Sequence, residues 1–179
     1  MAEEKQKEPW LNYLALATVI FAISATLSTF KGGGFSTKSV ISQAQASDQW
    51  AFYQAKAIKG DLYQAERDTL AVTLAALPAN ATAQQRKVYA DKLAEYDKKI
   101  AKYTAEKAQI MQTARALEAT RDAAQRQGKP FGIAVIFLQV AILISSIAGL
   151  FHQRKIWYLA LPVGLVGLLY FADGFFLFL

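Results

Sequence analysis

The sequence predicts an all-α membrane protein in which three transmembrane helices carry a long antiparallel helical hairpin, coiled-coil-like, between the first and second spans. Three observations predict it. Apolar stretches fill Trp10–Phe30, Phe131–Phe151 and Ile156–Leu179, and Asp173 is the one charged residue within them. A hydrocarbon core of about 30 Å takes roughly 20 helical residues to cross, so each stretch suffices. Residues 31–129, 99 in all, are polar, rich in Ala, Gln and Lys, and contain one proline, Pro78. Along the second half of this segment, apolar residues recur at spacings of four and three.

Residues 1–9 read as a cytoplasmic tail and 10–30 as the first span. Lys5 and Lys7 before an apolar run also suit a secretory signal, but the run is longer than an ordinary signal core, and an uncleaved anchor is expected. Residues 31–129 form the extramembrane module. It opens with Gly32, Gly33 and Gly34, which predict a helix stop and a hinge, with Ser36 or Thr37 capping the next helix. Gly60 is the one further interruption before Leu77, and it predicts a local kink. Pro78–Ala81 predicts a turn, and Thr82 with Gln85 has the spacing of a capping box.

The helix after that turn carries Tyr89, Leu93, Tyr96, Ile100, Tyr103, Lys107, Ile110, Ala114 and Leu117 at heptad spacing. The helix before it answers with Ile41, Ala44, Asp48, Ala51, Ala55, Ile58, Leu62, Ala65, Thr69 and Val72, so these two rows are expected to face each other. Trp50, Phe52 and Tyr53 point in several directions around the first helix and need another cover. Further copies of the chain, a separate partner, or a fold-back near Gly60 and Tyr103 would each supply it.

Residues 130–151 are the second span; either a helix restarts at Pro130 or the preceding helix runs on through it. Residues 152–155 are a short basic turn and 156–179 the third span. Ala141, Ser145 and Gly149, with Ala160 and Gly164, give small-residue faces for close helix packing. Gln139 and Ser145 are candidate intramembrane polar contacts, Gln139 through a bond to another helix. Asp173 is a third, placed near an interface where water reaches it.

Lys5, Lys7, Arg154 and Lys155 place the N-terminus and the basic turn in the cytoplasm, and the module outside. Lys31, Lys38, Arg121, Arg126 and Lys129 oppose that orientation. The module has sixteen Lys and Arg against ten Asp and Glu, and so holds the whole net charge of +6. Anionic lipid headgroups are the expected partners of such a surface, and no nucleic-acid motif accompanies it.

Nothing points to catalysis. Cysteine is absent, which excludes disulfides and thiolate chemistry, and the single histidine, His152, sits in the basic turn. Asp91, Glu95 and Asp97 are interleaved with Lys92, Lys98, Lys99 and Lys102, the pattern of a solvated helix face with pairs such as Glu95–Lys99. The glycine run lacks the Lys and hydroxyl of a phosphate-binding loop. No cofactor or metal is expected.

Three runs carry a resemblance: WLNYLALATVIFAISATLSTFK with the GGG that follows, QASDQWAFYQAKAIK at Gln45–Lys59, and FGIAVIFLQVAILISSIAG at Phe131–Gly149. Together they resemble the bacterial domain-of-unknown-function family 4337. That resemblance covers nearly the whole chain and implies a small bacterial inner-membrane protein, with no catalytic residues to carry over.

The functional expectation is a non-enzymatic membrane protein that self-assembles into a homo-oligomeric scaffold or accessory complex. Asp48, Trp50, Phe52, Tyr53, Tyr96 and Tyr103 are its candidate interface. Two rivals stand beside it. One is an oligomeric channel or transport component gated at Gly32–Gly34; the other is a monomeric envelope adaptor that binds another protein through the hairpin.

Overall fold

A computed structural model of the chain describes residues 9–178; the tail with Lys5 and Lys7, and Leu179, lie outside them. The described residues form three helices, α1 (Pro9–Ala75), α2 (Ala83–Leu150) and α3 (Arg154–Phe176). All three are long and apolar enough to cross a membrane. Two compact units result, one from Met1–Val40 with Thr120–Leu179, the other from Ile41–Ala119.

The expected stop at Gly32–Gly34 is absent, because α1 continues through it and Ser36 and Thr37 are helix-interior residues. A glycine costs about 1 kcal/mol against alanine inside a helix, so a continuous helix needs an offsetting contact. Gly32 supplies one. A Cβ there would stand 3.2 Å from the Phe131 Cβ, and one at Gly128 would stand 3.2 Å from the Phe35 Cβ. The two glycines thus let α1 and α2 approach closely while Phe35 and Phe131 stack at 6.0 Å. Of the two readings of Pro130, the structure takes the continuous one, since α2 runs through the proline. The span boundaries expected at 30/31 and 129/130 are therefore not helix ends.

In the first unit, small residues seat large ones. The Phe21 ring lies where a Gly164 Cβ would be, Leu138 lies against Gly167, and Phe131 against Gly174. Phe21, Ala25, Ala134, Leu138 and Ala141 make one core cluster; Trp10, Ala148, Trp157 and Ala160 make another. Ala141, Ser145, Ala160 and Gly164 are thus consumed by packing within the chain. The outer side is apolar as well. Only 22% to 28% of each apolar window is buried, and Leu16, Ile23, Phe30, Ile136, Leu143 and Leu165 lie exposed. That is the reverse of a water-soluble surface and matches lipid as the surrounding medium.

The helix ends follow from local chemistry. At the start of α2 the Thr82 N–H donates to Gln85 Oε1 at 2.9 Å and the Gln85 N–H donates to Thr82 Oγ1 at 3.2 Å, the expected capping box. The expected turn also forms, closed by the Ala81 N–H on the Pro78 carbonyl at 3.0 Å. After α2, His152 adopts φ 52°. Its N–H reaches the Gly149 carbonyl and the Gln153 N–H reaches that of Ala148. This is a Schellman motif with histidine in the left-handed position that glycine usually fills.

Candidate functional site

The second unit is built from residues 41–75 of α1 and 83–119 of α2. On α2 the expected row holds: Tyr89, Leu93, Tyr96, Ile100, Tyr103, Lys107, Ile110, Ala114 and Leu117 are all buried or half-buried. On α1 the expected register is wrong. Ile41, Ala44, Asp48, Ala51, Ala55, Ile58, Leu62, Ala65, Thr69 and Val72 are exposed. The covered row is Ser42, Ala46, Gln49, Tyr53, Lys56, Gly60, Tyr63, Arg67, Leu70 and Leu74, again at spacings of four and three. At 100° per residue the two rows lie on opposite sides of the helix.

The covered row is polar for physical reasons. Tyrosines of α2 need small or flat neighbours, and the seam supplies Gly60 beside Tyr103 and the Tyr63 ring stacked on Tyr103, 5.8 Å between centroids. Tyr63 also meets Tyr96 at 5.8 Å. Lys and Arg bury their stems and keep their charges paired at the rim. Lys56 pairs with Glu106 at 2.7 Å and Arg67 with Asp97 at 3.1 Å. Lys56 also lies over the rings of Phe52 and Tyr103 at 5.2 and 5.5 Å, a cation–π arrangement.

The candidate interface residues divide accordingly. Trp50 is half-buried, with its indole N–H donating to Glu118 Oε1 at 2.9 Å and its ring edge-on to Tyr53 at 5.6 Å. Tyr53, Tyr96 and Tyr103 are likewise half-covered within the unit. Asp48 and Phe52 stay exposed. Neither Gly60 nor Tyr103 breaks its helix, so the fold-back alternative does not occur. Glu118, Glu106 and Lys56 were missed by sequence reasoning, because a heptad reading scores apolarity and these residues work through hydrogen bonds.

Along α2 the charges form a solvated ladder. Glu95 accepts from Lys92 at 2.8 Å and from Lys99 at 2.7 Å, and these bonds pull its carboxyl from 4.5 to about 2. Glu106 is lowered chiefly by Lys56, and Lys99 is raised chiefly by Glu95. Among the described residues no group of three or more His, Asp or Glu could hold a metal ion.

In the first unit the three polar candidates have separate settings. Gln139 is exposed beside Ile136, Val140 and Leu143, and its amide makes no hydrogen bond among the described residues, so the expected interhelical partner within the chain is not there. Its place on the outer face of α2 is the cause. Ser145 is wholly buried, with an unpartnered Oγ. Asp173 is 4% exposed instead of open to water. It is enclosed because the chain beyond α3 folds back on it, the Phe178 N–H donating to Asp173 Oδ1 at 2.7 Å and the Leu177 N–H to its carbonyl at 2.7 Å.

The sequence profile of the family described as Domain of unknown function (DUF4337) matches residues 10–177. The chain belongs to the DUF4337 family. No curated protein and no solved structure matches it. In this DUF4337 chain the run Gln45–Lys59 serves two faces, with Ala46, Trp50, Tyr53 and Lys56 turned to α2 and Asp48, Phe52 and Ile58 left outside.

Proposed function

We propose that this DUF4337 protein is a non-enzymatic, multi-pass membrane protein of the bacterial inner membrane that self-assembles into a homo-oligomeric scaffold or accessory complex. The observation that carries the reading is the outer row of α1. Ile41, Ile58, Leu62 and Val72 are 52%, 69%, 56% and 70% exposed, at heptad spacing, in a part of the chain with a net positive charge. A row of that kind on a water-facing helix is a seam awaiting a second helix. The same row of a neighbouring copy satisfies it, since every copy carries one.

Residues 41–119 act in this reading as an antiparallel helical hairpin. Partner numbers that fall along α2 as they rise along α1 support it: Trp50 with Glu118, Lys56 with Glu106, Tyr63 with Tyr103, Arg67 with Asp97. Gln139 adds a second contact between copies. An amide exposed to hydrocarbon gains by bonding a like amide across an interface. Lys5, Lys7, Arg154 and Lys155 orient the assembly with the hairpin in the periplasm.

The test is native mass spectrometry of the full chain in nanodiscs, for the native protein and for Ile58→Glu/Leu62→Glu. A discrete multimer that becomes monomeric in the variant is the expected result. A native monomer overturns self-assembly and turns the outer row into the docking face of another protein.

A further inference from the structure

In the first unit a cavity of about 660 Å³ lies between α1 and α2, walled by Ser28, Gly33, Ser39, Gln125, Phe131 and Val135 among others. One of these walls is unusual. Ser28 is 0% exposed with an enclosed, unpartnered Oγ, while Ser39 is 7% exposed as a residue and its Oγ is not enclosed in that way. An unsatisfied buried hydroxyl is costly, so Ser28 beside this cavity calls for an occupant with a hydrogen-bond acceptor. Gly33 adds to this. Nothing lies within 4 Å of where its Cβ would be, so, unlike Gly32, it is explained by no packing within the chain and leaves bare helix backbone on the cavity wall.

The chemistry changes along the cavity. Phe131 and Val135 belong to the apolar stretch of α2, while Ser39 and Gln125 lie beyond the apolar stretches. Gln125 also lines an adjoining recess with Asp122, Arg126 and Lys129. Lys31, Lys38, Arg126 and Lys129 are exposed and form no ion pair among the described residues. Eleven residues separate Ser28 from Ser39, about 16 Å of helix, enough to span a phosphate, a glycerol and the first methylenes of an acyl chain.

We infer that this cavity binds one anionic glycerophospholipid, its phosphate against Arg126 and Lys129, an ester oxygen accepting from the Ser28 hydroxyl, and its upper acyl chain along Phe131 and Val135. The inference rests on the three helices spanning a membrane and is independent of self-assembly.

The experiment uses the full chain in nanodiscs of mixed phosphatidylglycerol and phosphatidylethanolamine, with lipids retained after ejection counted by native mass spectrometry. The native chain retains one phosphatidylglycerol in preference to phosphatidylethanolamine, and excess inorganic phosphate does not displace it. Gly33→Leu fills the space without meeting the chain and abolishes the adduct. Arg126→Gln/Lys129→Gln, a surface change, lowers the preference roughly twenty-five-fold, each basic residue near an anionic headgroup contributing on the order of fivefold. Equal retention of both lipids by the native chain, or an unaltered preference in both variants, overturns the site. So does a loss of multimer mass in Gly33→Leu, which would make the cavity the seat of a second copy. Resistance to carbonate extraction, scored alongside, tests the membrane reading on its own.

Discussion

Single residues in this protein are chosen for what stands opposite them. Gly164 is the sharpest case, because a Cβ there would fall on the Phe21 ring. Gly164→Ala forces the ring and its neighbours to shift, and overpacking of that kind costs about 1–3 kcal/mol. The expected outcome is a lower midpoint in thermal unfolding of the detergent-solubilised chain, while Gly33→Ala, with open space around it, leaves the midpoint unchanged or raised. His152 runs the other way. A non-glycine residue in the left-handed region costs roughly 1 kcal/mol, so His152→Gly is expected to stabilise by about that much, read from the same transition. Trp50→Phe keeps the ring contact with Tyr53 and deletes the bond to Glu118. A loss of about 1 kcal/mol is expected in chemical denaturation, and no loss would show that bond to be idle.

At the scale of elements, the charge ladder on α2 gives a pH dependence whose sign is set by the direction of each shift. Glu95 is held at about 2 against an ordinary 4.5, with Lys92 the first cause and Lys99 the second. A carboxyl depressed in the folded state stabilises fully above its unfolded value and loses that contribution as pH falls from about 4.5 towards 2. Glu106, lowered by Lys56, acts in the same direction. Both pairs are solvated, so the effect is modest. Glu95→Gln is expected to show a smaller fall in melting midpoint between about pH 6 and pH 2.5 than the native chain. An equal fall would place the acid sensitivity elsewhere. The capping box is a second element-scale device, and Thr82→Ala should cost about 1 kcal/mol by the usual loss of a helix N-cap.

At the scale of the whole molecule, the question is what covers the outer row of α1 and the Gln139 face. Gln139→Leu removes an amide from the apolar outer face of α2 and is expected to weaken association by about 1 kcal/mol, seen as a shift of the multimer–monomer balance in nanodiscs. Asp48 lies within the outer row as its one charge, so Asp48→Leu should strengthen association while broadening the distribution of multimer sizes, because a buried polar residue sets register at a cost in stability. Labelling of Ala79→Cys by an impermeant thiol reagent on intact cells checks the orientation. Modification places the turn outside, and protection reverses the assignment. Gly32–Gly34, the hinge of the gated rival, lie inside the continuous helix α1.

Much of the element plan was legible because it depends on short-range chemistry. Length and apolarity alone mark the three spans, Thr82 and Gln85 mark a helix start through bonds made three residues apart, and the α2 row declares itself by aromatic spacing. The α1 register was not legible. Apolar content favours the row of Ile58, Leu62 and Val72, yet tyrosines from α2 meet glycine, another tyrosine and the Lys56 ammonium, so complementarity outweighed hydrophobicity. The course of α1 through Gly32 was hidden for the same reason: glycine next to glycine reads as a break until Phe131 and Gly128 stand opposite it, 99 and 96 residues away from Gly32 in sequence but close in space. Local order follows from neighbours along the chain, whereas which face is covered depends on the shape of a partner that only the tertiary structure brings near.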